Sequence, residues 1–79
     1  VNMDTKTFIE KFADAVEIEN PASLDENTPF RTLDEWSSLA YLSVIAMLDE
    51  EYDVQIENAE FRTLQTLGDL MRAVESKRG

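Results

Sequence analysis

Apolar residues recur at the spacing of an α-helix in three separate segments, and this periodicity restricts the fold more than any other feature of the chain. The apolar residues of the first segment, residues 4–18, are Phe8, Ile9, Phe12, Ala15 and Val16. Residues three and four apart share one face of a helix, so this face is predicted to be buried. Asp4 or Thr5 can cap the start of this helix. The Asn20-Pro21 pair prevents its continuation.

The second helical segment, residues 37–52, carries more apolar surface than one buried face requires. Its predicted core-facing residues are Tyr41, Val44, Ile45, Leu48 and Tyr52. A second apolar row beside them consists of Leu39, Leu42 and Ala46. The helix ends in an acidic run, which consists of Asp49, Glu50, Glu51 and Asp53. Negative charge is unfavourable at that end of the helix dipole, so stability alone does not explain the run.

The remaining segments complete the predicted fold. Residues 57–63 indicate a short helix, and the inward residues around it are Ile56, Phe61 and Leu64. Thr66 then caps a final helix, whose buried positions are Leu67, Leu70, Met71 and Val74. Residues 19–36 show no periodicity and form a long connection, with Leu24, Phe30 and Leu33 as its anchors. The pattern predicts an all-α fold: a small antiparallel bundle of three main helices plus one short helix.

Composition narrows the functional class. The 79 residues include 17 acidic and 7 basic side chains, no histidine and no cysteine, for a net charge of −10. Without cysteine the chain has no disulfide and no thiolate metal site. Without histidine it has no imidazole base and no ordinary zinc site. The negative charge argues against nucleic acid and anionic membrane as partners. We expect a cytoplasmic, monomeric protein that is not itself an enzyme and binds basic partners.

The length supports one domain, which we assign to residues 3–77. Val1 and Asn2 precede the first methionine, Met3, and we interpret them as a remnant of an expression vector without a structural role. No apolar run is long enough to span a bilayer or to act as a secretory signal.

The start of the second helix is the candidate for covalent chemistry. Ser37 and Ser38 both stand there, and either can be the N-cap. A serine at this position lies beside unpaired backbone N–H groups and the positive end of the helix dipole, a place that tolerates a phosphate ester. The alternative is that the serine only caps the helix. The preceding Trp36 is interpreted as a packing residue rather than a ligand-stacking surface.

The stretch Trp36-Ser37-Ser38-Leu39-Ala40-Tyr41-Leu42 through Leu48-Asp49-Glu50-Glu51-Tyr52-Asp53-Val54 resembles the second helix of acyl carrier proteins. That helix begins with an Asp-Ser-Leu motif and ends in a leucine, three acids and an aromatic residue. Aligning Leu48 and Tyr52 with this ending makes Ser38 the motif serine. The resemblance extends over nearly the whole chain, with Phe30 matching the anchor of the long connection. The three-residue motif alone is weak, but its spacing to the acidic ending makes the resemblance specific.

The resemblance implies that Ser38 accepts 4′-phosphopantetheine from coenzyme A, through a separate phosphopantetheinyl transferase. The thiol of this arm would then hold an acyl group as a thioester. The resemblance also implies a docking face for basic patches on acyl-activating, acyltransferase or synthase enzymes. The residues of that face are Leu39, Leu42, Ala46, Asp49 and Glu50.

Two residues depart from the family pattern, and two alternatives to an acyl carrier protein also stay open. Ser37 replaces the aspartate that precedes the motif serine, and Ser43 stands where many carriers have an acid. Ser37 can still cap the helix, but it lacks the charge associated with engagement by the transferase. One alternative is a carrier of aminoacyl or peptidyl groups. The other is a carrier-like acidic interaction domain that is no longer modified.

Overall fold

The computed structural model describes residues 4–78 of the chain. Within this range lie four α-helices: α1 (Thr5–Ala15), α2 (Ser38–Tyr52), α3 (Asn58–Phe61) and α4 (Leu67–Arg78). Two single-turn 3-10 helices, Pro21–Ser23 and Phe30–Thr32, lie in the connection between α1 and α2. No strand occurs between residues 4 and 78, and the predicted all-α bundle is confirmed. The interpretation of Val1 and Asn2, and the domain boundary at Met3, concern residues outside this range.

One hydrophobic core joins all four helices and the long connection. Its fully buried large side chains are Phe8, Phe12, Phe30, Phe61, Leu48, Leu67, Leu70, Val44 and Val74. Helix α1 runs antiparallel to α2, because Phe8 packs against Tyr52 near one end and Val16 lies beside Ser37 at the other. No buried polar or charged residue is found among residues 4–78, so burial of apolar surface dominates the stability of the core.

Helix α1 ends earlier than its apolar pattern predicts. The expected helix ran to residue 18, but Glu17 adopts a left-handed conformation with φ 62°. The N–H of Ile18 then donates to the carbonyl of Ala13 over 2.8 Å, and the N–H of Glu17 donates to that of Asp14 over 3.3 Å. These two bonds form a Schellman motif, which closes the helix. Ile18 still packs against the core, so the apolar pattern continues past the end of the helix.

The long connection is fastened to the second half of the chain. Its Leu24 and Phe30 are buried, as predicted, and Leu33 packs partly against the core. The carbonyls of Thr28 and Glu26 accept hydrogen bonds from the N–H groups of Leu67 and Gly68, over 3.1 and 2.9 Å. The connection therefore satisfies backbone donors at the start of α4, which would otherwise lack partners within the helix.

Helix α4 also has a cap of its own. The Thr66 hydroxyl accepts from the N–H of Asp69 over 3.1 Å, which confirms Thr66 as the predicted cap. In return, the Asp69 carboxylate accepts from the N–H groups of Gln65 and Thr66, each over 3.1 Å. These bonds hold the pKa of Asp69 below its ordinary value, because they favour the charged carboxylate. The arrangement is a capping box with aspartate in place of the usual glutamate.

Candidate functional site

The two serines at the start of α2 have different roles in the structure. The Ser37 hydroxyl accepts a hydrogen bond from the N–H of Ala40 over 3.1 Å, so Ser37 is the N-cap. Ser38 is the first residue of the helix and is exposed. Within residues 4–78, no group hydrogen-bonds the Ser38 hydroxyl. Since capping occupies only Ser37, the hydroxyl of Ser38 is available for modification.

A groove of about 340 Å³ opens beside Ser38, between the start of α2 and α3. Its lining residues are Arg31, Trp36, Ser37, Ser38, Tyr41, Asn58, Phe61 and Arg62. The groove brings together residues that lie about 25 to 30 positions apart in the chain, and periodicity did not predict it. Two arginines on its wall give a locally positive environment in a strongly acidic protein.

The two arginines differ in how they are held. The Nε of Arg31 donates to the carbonyl of Leu64 over 2.8 Å, and its Nη2 donates to the carbonyl of Phe61. The Arg31 guanidinium also lies 5.2 Å from the ring centroid of Phe30. Arg31 is thus a structural link between the long connection and the end of α3. Arg62 is exposed, and no hydrogen bond, ion pair or ring contact ties it to another residue in the described range.

Trp36 forms the floor of this region. Its ring is nearly parallel to those of Phe12 and Phe61, at 9° and 4°, with centroids 6.2 and 6.1 Å away. It also meets Phe30 edge-on at 5.0 Å. These contacts show that Trp36 packs against the core, as the sequence predicted. The stack holds the residue just before Ser37 in place, and with it the start of α2.

The predicted docking residues lie along one exposed side of α2. Leu39 and Leu42 are 73% and 61% exposed, unusually high for leucine, and Ala46 is exposed as well. Spacings of three and four residues continue this row to Asp49 and Glu50, which are also exposed. The structure therefore places all five residues on one surface that begins next to Ser38.

The acidic run at the end of α2 divides into two parts. Glu51 accepts from Nζ of Lys11 over 2.6 Å, an ion pair that joins α2 to α1 and raises the pKa of Lys11. Asp53 ends the helix in a left-handed conformation with φ 54°. The side chains of Asp49 and Glu50 have no partner among residues 4–78. The side chain of Asp53 is likewise exposed and unpaired in this range, so Glu51 is the one acid of the run that is engaged there, and Asp49 and Glu50 are free on the side of the exposed leucines.

A second groove, of about 410 Å³, lies between α2 and the segment that precedes α3. Its lining residues are Leu42, Ile45, Ala46, Asp49, Gln55, Ile56 and Glu57. Ile45 was predicted to face the core, but it is only half-buried and forms part of this wall. The opposite wall comes from the segment before Asn58, which has no regular secondary structure.

These features define a carrier-type domain: a four-helix bundle with a free serine hydroxyl at the start of its second helix. The family described as "phosphopantetheine attachment site" matches residues 6–74, which is most of the chain. The chain therefore belongs to the phosphopantetheine-attachment family. The residues around Ser38 fit the group, because an unbonded hydroxyl, a helix start and two arginines suit a phosphate ester.

A solved structure supports the same assignment. The solution structure of the holo acyl carrier protein from Geobacter metallireducens is similar over 95% of this chain and 86% of that chain, with a TM-score of 0.78 and 25% sequence identity. None of the curated proteins matches the chain. Together, the family and this neighbour support an acyl carrier protein with a 4′-phosphopantetheine prosthetic group, and neither alternative is favoured. Carrier proteins interact with partner enzymes. No helix within residues 4–78 is long and apolar enough to cross a membrane.

Proposed function

We propose that Ser38 bears the 4′-phosphopantetheine of this acyl carrier protein. The observation that carries this assignment is the division of roles between the two serines. The hydroxyl of Ser37 is committed to the N–H of Ala40, whereas that of Ser38 is exposed and unbonded. A modification at Ser37 would remove the cap of α2, at a cost of about 1 kcal/mol. A modification at Ser38 leaves the helix start intact.

The chain's part in the loading reaction is that of an acceptor. The Ser38 oxygen forms a bond to the phosphorus that bears pantetheine, and the pyrophosphate bond of coenzyme A breaks. The adenosine bisphosphate leaves with the bonding electron pair, and the serine proton passes to the transferase. When bound, the prosthetic group supplies a thiol that holds the acyl cargo as a thioester. The chain contains no cysteine, so its own side chains offer no competing thiol.

The docking face is the second part of the proposal. Leu39, Leu42 and Ala46 give partners an apolar contact beside Ser38, and Asp49 and Glu50 attract basic patches. Such exposed charges mainly steer and orient the encounter. The partners are a phosphopantetheinyl transferase and acyl-activating, acyltransferase or synthase enzymes. In this scheme the protein is a monomeric cytoplasmic carrier and leaves catalysis to those enzymes.

Loading tests the serine assignment directly. The purified protein is incubated with coenzyme A and a broad-specificity transferase, and its intact mass is followed with time. We expect addition of one phosphopantetheine to the wild type and to Ser37→Ala, and none to Ser38→Ala. Circular dichroism of each variant shows whether the helices are kept. The Ser37 variant is the matched control, because it removes the neighbouring hydroxyl.

Two results would contradict the proposal. If folded Ser38→Ala still gained the mass of the group, the attachment site would lie elsewhere. If several transferases left the folded wild type unmodified, the chain would be a carrier-like interaction domain.

A further variant, Ser37→Asp, adds the acid found in the family pattern and keeps a capping side chain. We expect it to load at least as fast as the wild type.

A further inference from the structure

Most basic side chains in residues 4–78 already have a partner. Ion pairs join Lys11 to Glu51, Arg72 to Asp69 and Lys77 to Glu60, with N–O distances of 2.6, 2.6 and 2.8 Å. Arg78 lies over the ring of Tyr52, and Arg31 is bound to two backbone carbonyls. Arg62 has no such partner in this range, although the chain has 17 acids. Its position is therefore not explained by stabilisation of the fold.

Arg62 stands where a negative charge is expected on the loaded protein. It follows the last residue of α3 and lines the same groove as Ser38, together with Asn58 and Tyr41. Arg31, on the same groove, is committed to the carbonyls of Phe61 and Leu64. The Arg31 bonds fix the end of α3, and with it the backbone from which Arg62 projects.

We propose that Arg62 binds the phosphodiester of the prosthetic group on Ser38; this inference rests on the proposed attachment site. A guanidinium offers paired N–H donors whose geometry matches phosphate oxygens. The contact would hold the beginning of the arm on the α3 side of α2. Because Arg62 is exposed, the attraction is weakened by solvent and salt, so the arm remains easy to withdraw. A carrier needs this property, since it must give up the arm to each partner in turn.

Phosphorus NMR of the loaded protein tests the contact without using activity. Wild type, Arg62→Gln and Lys6→Gln are each loaded completely, as checked by intact mass. Lys6→Gln is the matched control: it removes the same charge from an exposed residue at the start of α1, the end of the bundle away from Ser38. Relative to the loaded wild type, we expect the phosphodiester resonance to shift in Arg62→Gln and to keep its wild-type position in Lys6→Gln. Raising salt to about 0.5 M should move the wild-type resonance towards that of Arg62→Gln.

A second measurement uses the wild type alone. With nitrogen-labelled arginine, the Nε–H signal of Arg62 is compared before and after loading. We expect this signal to shift on loading, and that of Arg72 to stay unchanged. An unchanged Arg62 signal, or a phosphorus resonance identical in wild type and Arg62→Gln, would overturn the inference and leave Ser38 as the attachment site. A protein that fails to load at Ser38 would overturn both proposals, and the mass spectrum shows this before any NMR is recorded.

Discussion

The backbone N–H of Gly68 donates to the carbonyl oxygen of Glu26 over 2.9 Å. Through this bond the connection between α1 and α2 reaches the start of α4, more than forty residues further along the chain. The approach is close enough that a Cβ built on Gly68 would lie 3.0 Å from the Glu26 oxygen and 3.2 Å from Nη1 of Arg72. A side chain at this position would separate the connection from the helix.

Gly68→Ala is therefore expected to destabilise the protein. In an ordinary helix, alanine in place of glycine stabilises by about 0.5–1 kcal/mol. Here the methyl group would push against a backbone oxygen that accepts a hydrogen bond from the same residue, and we expect a net loss of about 1 kcal/mol. Urea denaturation measures the change, with Ser76→Ala on an exposed position of α4 as the control. If Gly68→Ala were as stable as the wild type or more stable, the backbone at Glu26 would have moved aside at little cost.

Arg31→Lys is expected to loosen α3. Lysine keeps the charge but cannot donate to two carbonyls with one planar group, so the bonds to Phe61 and Leu64 would not both survive. We expect a loss of about 1–2 kcal/mol in the free energy of unfolding. Hydrogen exchange should become faster at the amides of α3. Arg62→Lys is the control, because that side chain has no partner in residues 4–78 and both measurements should remain as in wild type.

Neutralising the free acids of α2 is expected to slow loading by the transferase. Asp49→Asn combined with Glu50→Gln should lower kcat/KM by about three- to tenfold at low salt, because each exposed charge pair contributes about 1 kcal/mol or less. The difference should narrow as salt is raised. Glu10→Gln combined with Glu19→Gln removes the same charge from exposed positions on the α1 side. If both double variants behaved alike, net charge rather than the docking face would be responsible.

The carboxylate of Asp69 should make stability depend on pH. Its pKa in the folded state lies below the ordinary value of about 3.9, because it accepts hydrogen bonds from Gln65 and Thr66. The charged carboxylate therefore stabilises the folded state at any pH above the ordinary pKa, and this stabilisation is lost as the pH falls through the lower, folded-state pKa. Asp69→Asn keeps an acceptor but lacks the charge. We expect its deficit in urea midpoint, relative to wild type, to be largest near neutral pH and to shrink in acid. A deficit that stays constant with pH would assign the effect to shape alone.

The bounds of the helices were predictable where local signals coincide with the end of the apolar pattern. Helix α2 was predicted over residues 37–52, with either serine as its cap; it begins at Ser38, one residue later, and ends at Tyr52 as predicted, because serines mark its start and an aromatic residue that packs against the core marks its end. Helix α1 was predicted three residues too long. Its buried face continues to Val16 and Ile18, whereas the backbone turns at Glu17, and glutamate carries no signal for a left-handed conformation.

The site was only partly predictable for a similar reason. The row from Leu39 to Glu50 lies on one helix, so its spacing in sequence already places it on one surface. The serines could not be told apart from local pattern, because either can accept a hydrogen bond at a helix start. The groove that brings Arg31 and Arg62 to Ser38 depends on the packing of three distant segments. Periodicity describes which face of a helix is buried, but not which loops meet above it.

The position of Trp36 gives this protein an optical label of its own. It is the sole tryptophan of the chain, its ring lies nearly parallel to those of Phe12 and Phe61, and it lines the groove that contains Ser38. The fluorescence emission of Trp36 should therefore change when a ligand binds in that groove and when α3 moves away from α2. Attachment of the arm, arrival of cargo and capture by a partner can be followed as changes in fluorescence on the unlabelled, wild-type chain.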